Sequence, residues 1–301
     1  MPLFIAEHVE KLWDTWNIRG LIILSLLLQS FLTLSAQLRE RRGGKCFIMI
    51  PLWIAHPLAD WVATFTTGLM SRAERNDILA FWAPFLLLHL GGPDTITSFS
   101  MEDNDFWIRH LLGLILQVGS TIYVILQSLP HNKLWQPTLL VLIAGIIKYA
   151  ERNRAFYLSS VHLFGNNWES LSSVIPYEHL AMSPIPVQFE QAHRSRFIKI
   201  WRKHDQWSVI LVAACMTGAI KSLIVGTPMT KEEQYCFRHL MENRDSHEML
   251  RTLEIELSLL YELLHTKLSV IDSNVGYIFR TVNFGCILGA LVSFSILLKK
   301  Y

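Results

Sequence analysis

The sequence predicts an all-α, multi-pass transmembrane protein with a helical cytosolic insertion, and three observations carry that prediction. Hydrophobic residues make up 51% of the 301, charged residues only 17%, and mean hydropathy is +0.30, whereas soluble domains hold about 25% charged residues. Several apolar runs reach or approach the roughly 20 residues that a helix needs to cross about 30 Å of hydrocarbon. Basic residues collect at the ends of those runs, where the orientation of a membrane chain is set. In lipid each backbone N–H and C=O needs a partner inside its own segment, so the runs are expected to be helices.

The chain opens on a mixed polar and aromatic stretch containing Glu7, Glu10, Lys11 and Asp14. The apolar run behind it is too long for the core of a cleaved signal peptide and is expected to be retained as an anchor over 18–38. Further spans are expected at 47–69, 107–129 and, at the end, Tyr277 to Leu298. Two shorter runs, 78–90 and 134–150, are ambiguous by length. Arg39, Arg41, Arg42 and Lys45 follow the first span, while Lys148, Arg152 and Arg154 gather at the end of the run at 134–150. These clusters share a side only if 78–90 crosses completely, which favours a short span over a re-entrant hairpin. The expected layout is a membrane domain over 1–150 with five spans, a soluble region over 151–274, and a final helix and tail over 275–301. With the N-terminus outside, the basic clusters and the turn at 91–105 face the cytosol.

In the soluble region Pro176, Pro184 and Pro186 break the first half into loops. The run from Trp207 to Ile220, extendable to Gly226, suits a buried or interfacial helix better than a span; if it does span, the last helix reverses direction. Asp245 with Glu248 three residues later reads as a capping box. Leu250, Leu253, Leu257, Leu260 and Leu264 then recur in steps of three and four. That stripe is short for an autonomous coiled coil and is expected to pack against helices of the same chain.

Asp60 is the most consequential polar residue, because a carboxylate inside a membrane helix costs about 2.5–3.5 kcal/mol. The nine Phe, Ile, Leu and Val residues of its segment each return only about 0.3–0.6 kcal/mol. It therefore needs a partner. His56 lies four residues earlier on the same helical face, and Pro51 and Pro57 make a kink plausible there. The favoured reading is a structural hydrogen bond from Asp60 to a Trp N–H or to Arg109; a proton or ion pathway, or a metal site with a third ligand, are the sharper alternatives. The turn holds Asp94, Glu102, Asp103 and Asp105 between His89 and His110. It lacks calcium-loop spacing, so a solvated acidic turn is expected, with Asp103 or Asp105 capping the helix that runs through Trp107.

No catalytic motif is present, and no catalytic residue, cofactor or metal site is assigned. Cys46, Cys215, Cys236 and Cys286 are scattered without metal spacing and read as small buried hydrophobes. A net charge of +2 without a basic stripe speaks against nucleic acid. The run from Arg39 to Lys45 reads as a topology signal before it reads as a head-group site. The expected partners are membrane lipid and a protein bound through the cytosolic helices.

The residues "HPLADWVA" at 56–63, "LAFWAPFLLLHLGGPDTITSFSMEDNDFWIRH" at 79–110, "KYAERNRAF" at 148–156 and "LEIELSLLYELLHTKLSV" at 253–270 resemble the plant membrane proteins grouped as domain of unknown function 4220. The resemblance runs from about Trp13 to Leu298. It implies a multi-pass plant membrane protein with no catalytic residue to carry over. Many relatives continue into a second region, domain of unknown function 594, so a chain ending at Tyr301 is expected to be a shortened member or a truncated gene model. The function expected first is a non-catalytic scaffold or binding protein, in an organelle or the plasma membrane. A channel or transporter using Asp60 and His56 is the alternative, and a membrane-embedded enzyme the third.

Overall fold

The computed structural model describes residues 16–35, 46–73, 77–129, 132–164, 224, 226, 245–271 and 273–299. Among these all regular structure is helical: α1 (Trp16–Ser35), α2 (Cys46–Met70), α3 (Asp77–Leu90), α4 (Met101–Asp105), α5 (Trp107–Ser128), α6 (Trp135–Leu158), α7 (Val161–Phe164), α8 (Ser246–His265), α9 (Leu268–Ile271) and α10 (Asn274–Lys299). The chain divides into two compact units, one formed by Met1–Tyr157 with Thr266–Tyr301 and the other by Leu158–His265.

In the first unit polarity is turned inside out relative to a soluble protein. On α5, Ile108, Leu112, Ile115, Leu116 and Leu126 are exposed while Thr121 and Ser128 are buried; α10 exposes Ile278, Phe284, Leu288 and Leu291. Apolar bands this extensive do not stay uncovered in water, whereas lipid tails are as apolar as leucine and leave small and polar residues to hold helices together. Residues 16–35, 107–128 and 275–297 lie in helices long and apolar enough to cross a membrane, and α3 is a shorter apolar helix. The fold is that of an all-α, multi-pass membrane protein.

α3 positions the site. Its 14 residues reach only about 21 Å, short of a full hydrocarbon thickness, and the chain then turns sharply. Gly91 N donates to Leu88 O at 3.2 Å and Gly92 N to His89 O at 2.9 Å, with Gly92 at φ +64°, the left-handed conformation that closes helices on glycine. Gly91 is needed for a second reason: a Cβ there would lie 2.6 Å from Lys148 Cγ on α6. Lower down, Gly145 of α6 lets the two backbones approach, because a Cβ at that position would lie 3.2 Å from Leu88 N and Pro84 O.

The segment after Gly92 matches the solvated turn expected from its acidic residues only at Glu102 and Asp105, which are exposed. Ile96, Thr97 and Ser98 are buried, and Ile96 and Phe99 pack with Leu32, Leu52, Ala55 and Ala59 of α1 and α2. The loop fills the layer that the short α3 does not reach, and irregular backbone among membrane helices requires that kind of protein cover. The expected cap on the helix through Trp107 also differs. Phe106 precedes α5 and contributes no side-chain bond. Asp103 instead completes a capping box with Ser100 at the start of α4, with both bonds at 3.3 Å, so an extra turn of helix has taken the carboxylate. α2 runs unbroken through Pro51 and Pro57.

In the second unit α8 begins one residue after Asp245, whose carbonyl accepts from Met249 N at 3.0 Å. Its buried face passes through Thr252, Glu256, Leu260 and Leu263, so it is rotated from the leucine stripe. Leu260 and Leu264 are buried as expected, but Leu250 and Leu257 are exposed. Burial pushes the Glu256 carboxyl up to about 7. Ser159 Oγ donates to Leu263 O at 2.9 Å. The prolines at 176, 184 and 186, the run at 207–220 and the basic run at 39–45 lie outside the described residues.

Candidate functional site

The end of α3 is where charge gathers in the first unit. A helix C-terminus presents carbonyls without intrahelical partners and a partial negative charge, and here donors from three other segments meet them. Gln29 Nε2 of α1 donates to His89 O at 2.9 Å. Arg152 Nη1 of α6 donates to Leu90 O at 2.8 Å. Lys267 Nζ donates to Gly91 O at 2.8 Å, and Lys267 N to Asp94 O at 3.1 Å. The His89 ring itself meets Ser25 Oγ through Nδ1 at 2.8 Å.

Arg152 is the hub. Its guanidinium grips Asp60 through both oxygens, Nη1 to Oδ1 and Nη2 to Oδ2, each at 2.8 Å, a bidentate fork that only arginine offers. Nη2 also lies 3.1 Å from His56 Nε2. Since guanidinium only donates, that nitrogen accepts, which assigns the imidazole proton to Nδ1. The His56 ring meets Phe99 edge-on at 5.4 Å, tying it to the buried loop. Arg152 thus joins α2, α3 and α6 in one contact set with its side chain 4% exposed. Asp60 sits at the level where α3 ends, because α3 is short.

A second charged group lies on the other side of the same helix end. Asp94 pairs with Arg280 of α10 at 2.7 Å and with Lys267 at 3.3 Å. Burial pushes the Asp94 carboxyl up, but the charges of Lys267 and Arg280 and the hydrogen bond from Arg280 outweigh it and hold it below the usual carboxylate range. Lys267 is completely buried, and burial, only partly offset by Asp94, lowers its ammonium to about 8.

The residues singled out from the sequence therefore part company. His56 and Asp60 come together through Arg152; Asp94 joins a different group; Asp103 serves the α4 cap; Glu102 and Asp105 are exposed. The proposed partner Arg109 instead lies over the Phe106 ring at 5.0 Å, and among the described residues no Trp N–H takes its place at Asp60. Arg152 was legible only as a basic flank, and Lys267 and Arg280 carried no signal beyond being isolated cations near apolar runs. Among the described residues no three His, Cys, Asp or Glu side chains converge to hold a metal ion.

Fold and site define an integral membrane protein whose polar core is built around one short helix. The family described as domain of unknown function DUF4220 matches residues 53–301, and the chain belongs to it. No curated protein and no solved structure matches the chain.

Proposed function

We propose that this protein is a non-catalytic membrane scaffold or binding protein, with its membrane unit acting as a rigid base and cytosolic helices contacting a protein partner. The observation that supports this reading is the bidentate hold on Asp60: each of its oxygens accepts from a buried arginine that also binds His56 and the end of α3. A carboxylate committed in this way braces helices, whereas a transport site needs a group that can exchange partners.

Two arms of one experiment test the reading. Affinity capture from native membranes with the full chain, against a variant lacking 158–265, is expected to return a reproducible partner only for the full chain. In parallel, vesicles containing the full chain are expected to pass ions and protons no faster than empty vesicles. Flux that Asp60→Asn alters would replace the scaffold with the channel or transporter, and capture without any partner would remove the scaffold.

A further inference from the structure

The inward side of α5 carries a row of four polar side chains, three of which the protein leaves bare. His110, Gln117, Thr121 and Ser128 follow one another at steps of seven, four and seven, which keeps them on one side of the helix over about 27 Å. Ile108, Leu112, Ile115 and Leu116 occupy the exposed side. Ser128 is satisfied, donating to Ile125 O at 2.7 Å and accepting from Asn132 Nδ2 at 2.8 Å. The other three are not: His110 Nε2, Gln117 Oε1 and Thr121 Oγ1 are buried atoms without a hydrogen-bond partner. From α6, Arg152 Nε is a fourth. The Tyr149 hydroxyl lies beside them, 3.3 Å from where a Cβ on Gly113 would stand, between His110 and Gln117.

Bare polar atoms in an apolar interior carry a large desolvation penalty, and buried polar groups in native proteins are almost always paired with protein or with ordered water. We propose that these atoms bind a chain of water molecules that enters beside His56, Asp60 and Arg152 and reaches inward to Thr121, about 16 Å along α5 from His110. The chemistry of the set selects water. Gln117 Oε1 only accepts and Arg152 Nε only donates, so an anion would leave the first unserved and a cation would be repelled by the second. Water does both, and each molecule needs two to four such partners. The inlet is blind: Val124, the next position after Thr121 on that side of α5, is buried in an apolar cluster with Met70 and Leu142. Its consequence is solvent access to the Asp60 and Arg152 pair from inside the bundle, an access the scaffold reading neither requires nor forbids.

Water-edited solid-state NMR on the full chain in bilayers tests this. Magnetisation from water is expected to reach the Gln117 and Thr121 side chains several-fold faster than Ile115 and Leu116, which lie at similar depth on the outer side. Equal, slow build-up at all four would overturn the proposal. The thermal midpoint of Gln117→Leu combined with Thr121→Val gives a second readout: it should stay unchanged or fall if water serves these atoms. A rise would mean that dry, unpaired groups had been removed, and would also overturn it.

Discussion

Two ion clusters flank the same helix end, and their surroundings make them different devices. Arg152 is almost fully enclosed and meets Asp60, itself 35% exposed at the side chain, through two matched bonds, while both partners of the second pair are open, Asp94 at 43% and Arg280 at 37%. Lys267 repeats the Arg152 pattern, a buried cation whose carboxylate partner is partly open. The first cluster fixes where α2, α3 and α6 meet; the second fastens the start of α10 to the loop after α3. Geometry alone does not set an ion pair's value. A buried charge punishes the loss of its partner, whereas an exposed one finds solvent.

The sharpest way to break this contrast is Asp60→Ala. It leaves the Arg152 guanidinium enclosed without its counter-charge and is expected to cost about 3–5 kcal/mol, read as a lowered unfolding midpoint in detergent. Replacing Arg152 with Met in the same chain should recover much of the loss, since the stranded charge is then gone. A single variant within about 1 kcal/mol of wild type would show that the clamp does not brace these helices.

Lys267→Met comes next. It strips the Nζ donor from Gly91 O and is expected to destabilise by about 1–3 kcal/mol, the cost of a buried carbonyl left unpaired. It also carries a pH signature. The folded-state value of about 8 lies below the ordinary 10.5, so between these limits the unfolded chain holds more protons and stability rises with pH. Unfolding midpoints measured from pH 8 to 10.5 should climb in the wild type and lose that slope in the variant.

The smallest effect belongs to Arg280→Gln, expected at no more than about 1 kcal/mol and fading with added salt. Asp94 sharpens it at low pH. Its folded value is depressed, so its contribution is present above the ordinary 3.8 and disappears as pH falls through the lower folded value. Acid titration of the unfolding midpoint should show that loss in the wild type and a weaker one in Arg280→Gln. A large, salt-insensitive effect would mean that the second cluster is as enclosed as the first.

How far the residues alone reached depended on the range of the physics involved. That α3 must stop was legible in Gly91, Gly92 and Pro93, because helix ends are local chemistry. That Asp60 needs a partner followed from the cost of a charge among apolar neighbours. Which group answers it was not legible: Arg152 lies 92 positions away and reads as a basic flank. The acidic turn misled for the same reason. Glu102 and Asp105 are exposed, as they look one by one, but Ile96 and Phe99 pull the stretch before them inward to fill the space beside a short helix.

The all-α membrane character of this protein is written in composition and run length, because hydrocarbon imposes one requirement on every segment: backbone dipoles must close within the helix and side chains must suit lipid. Where the charges went was decided only when distant segments packed. The length of α3 placed its open end beside Asp60, α6 brought Arg152 to it, and the chain before α9 brought Lys267. Pairing energies act over a few ångströms, and only the folded chain brings those groups within that distance.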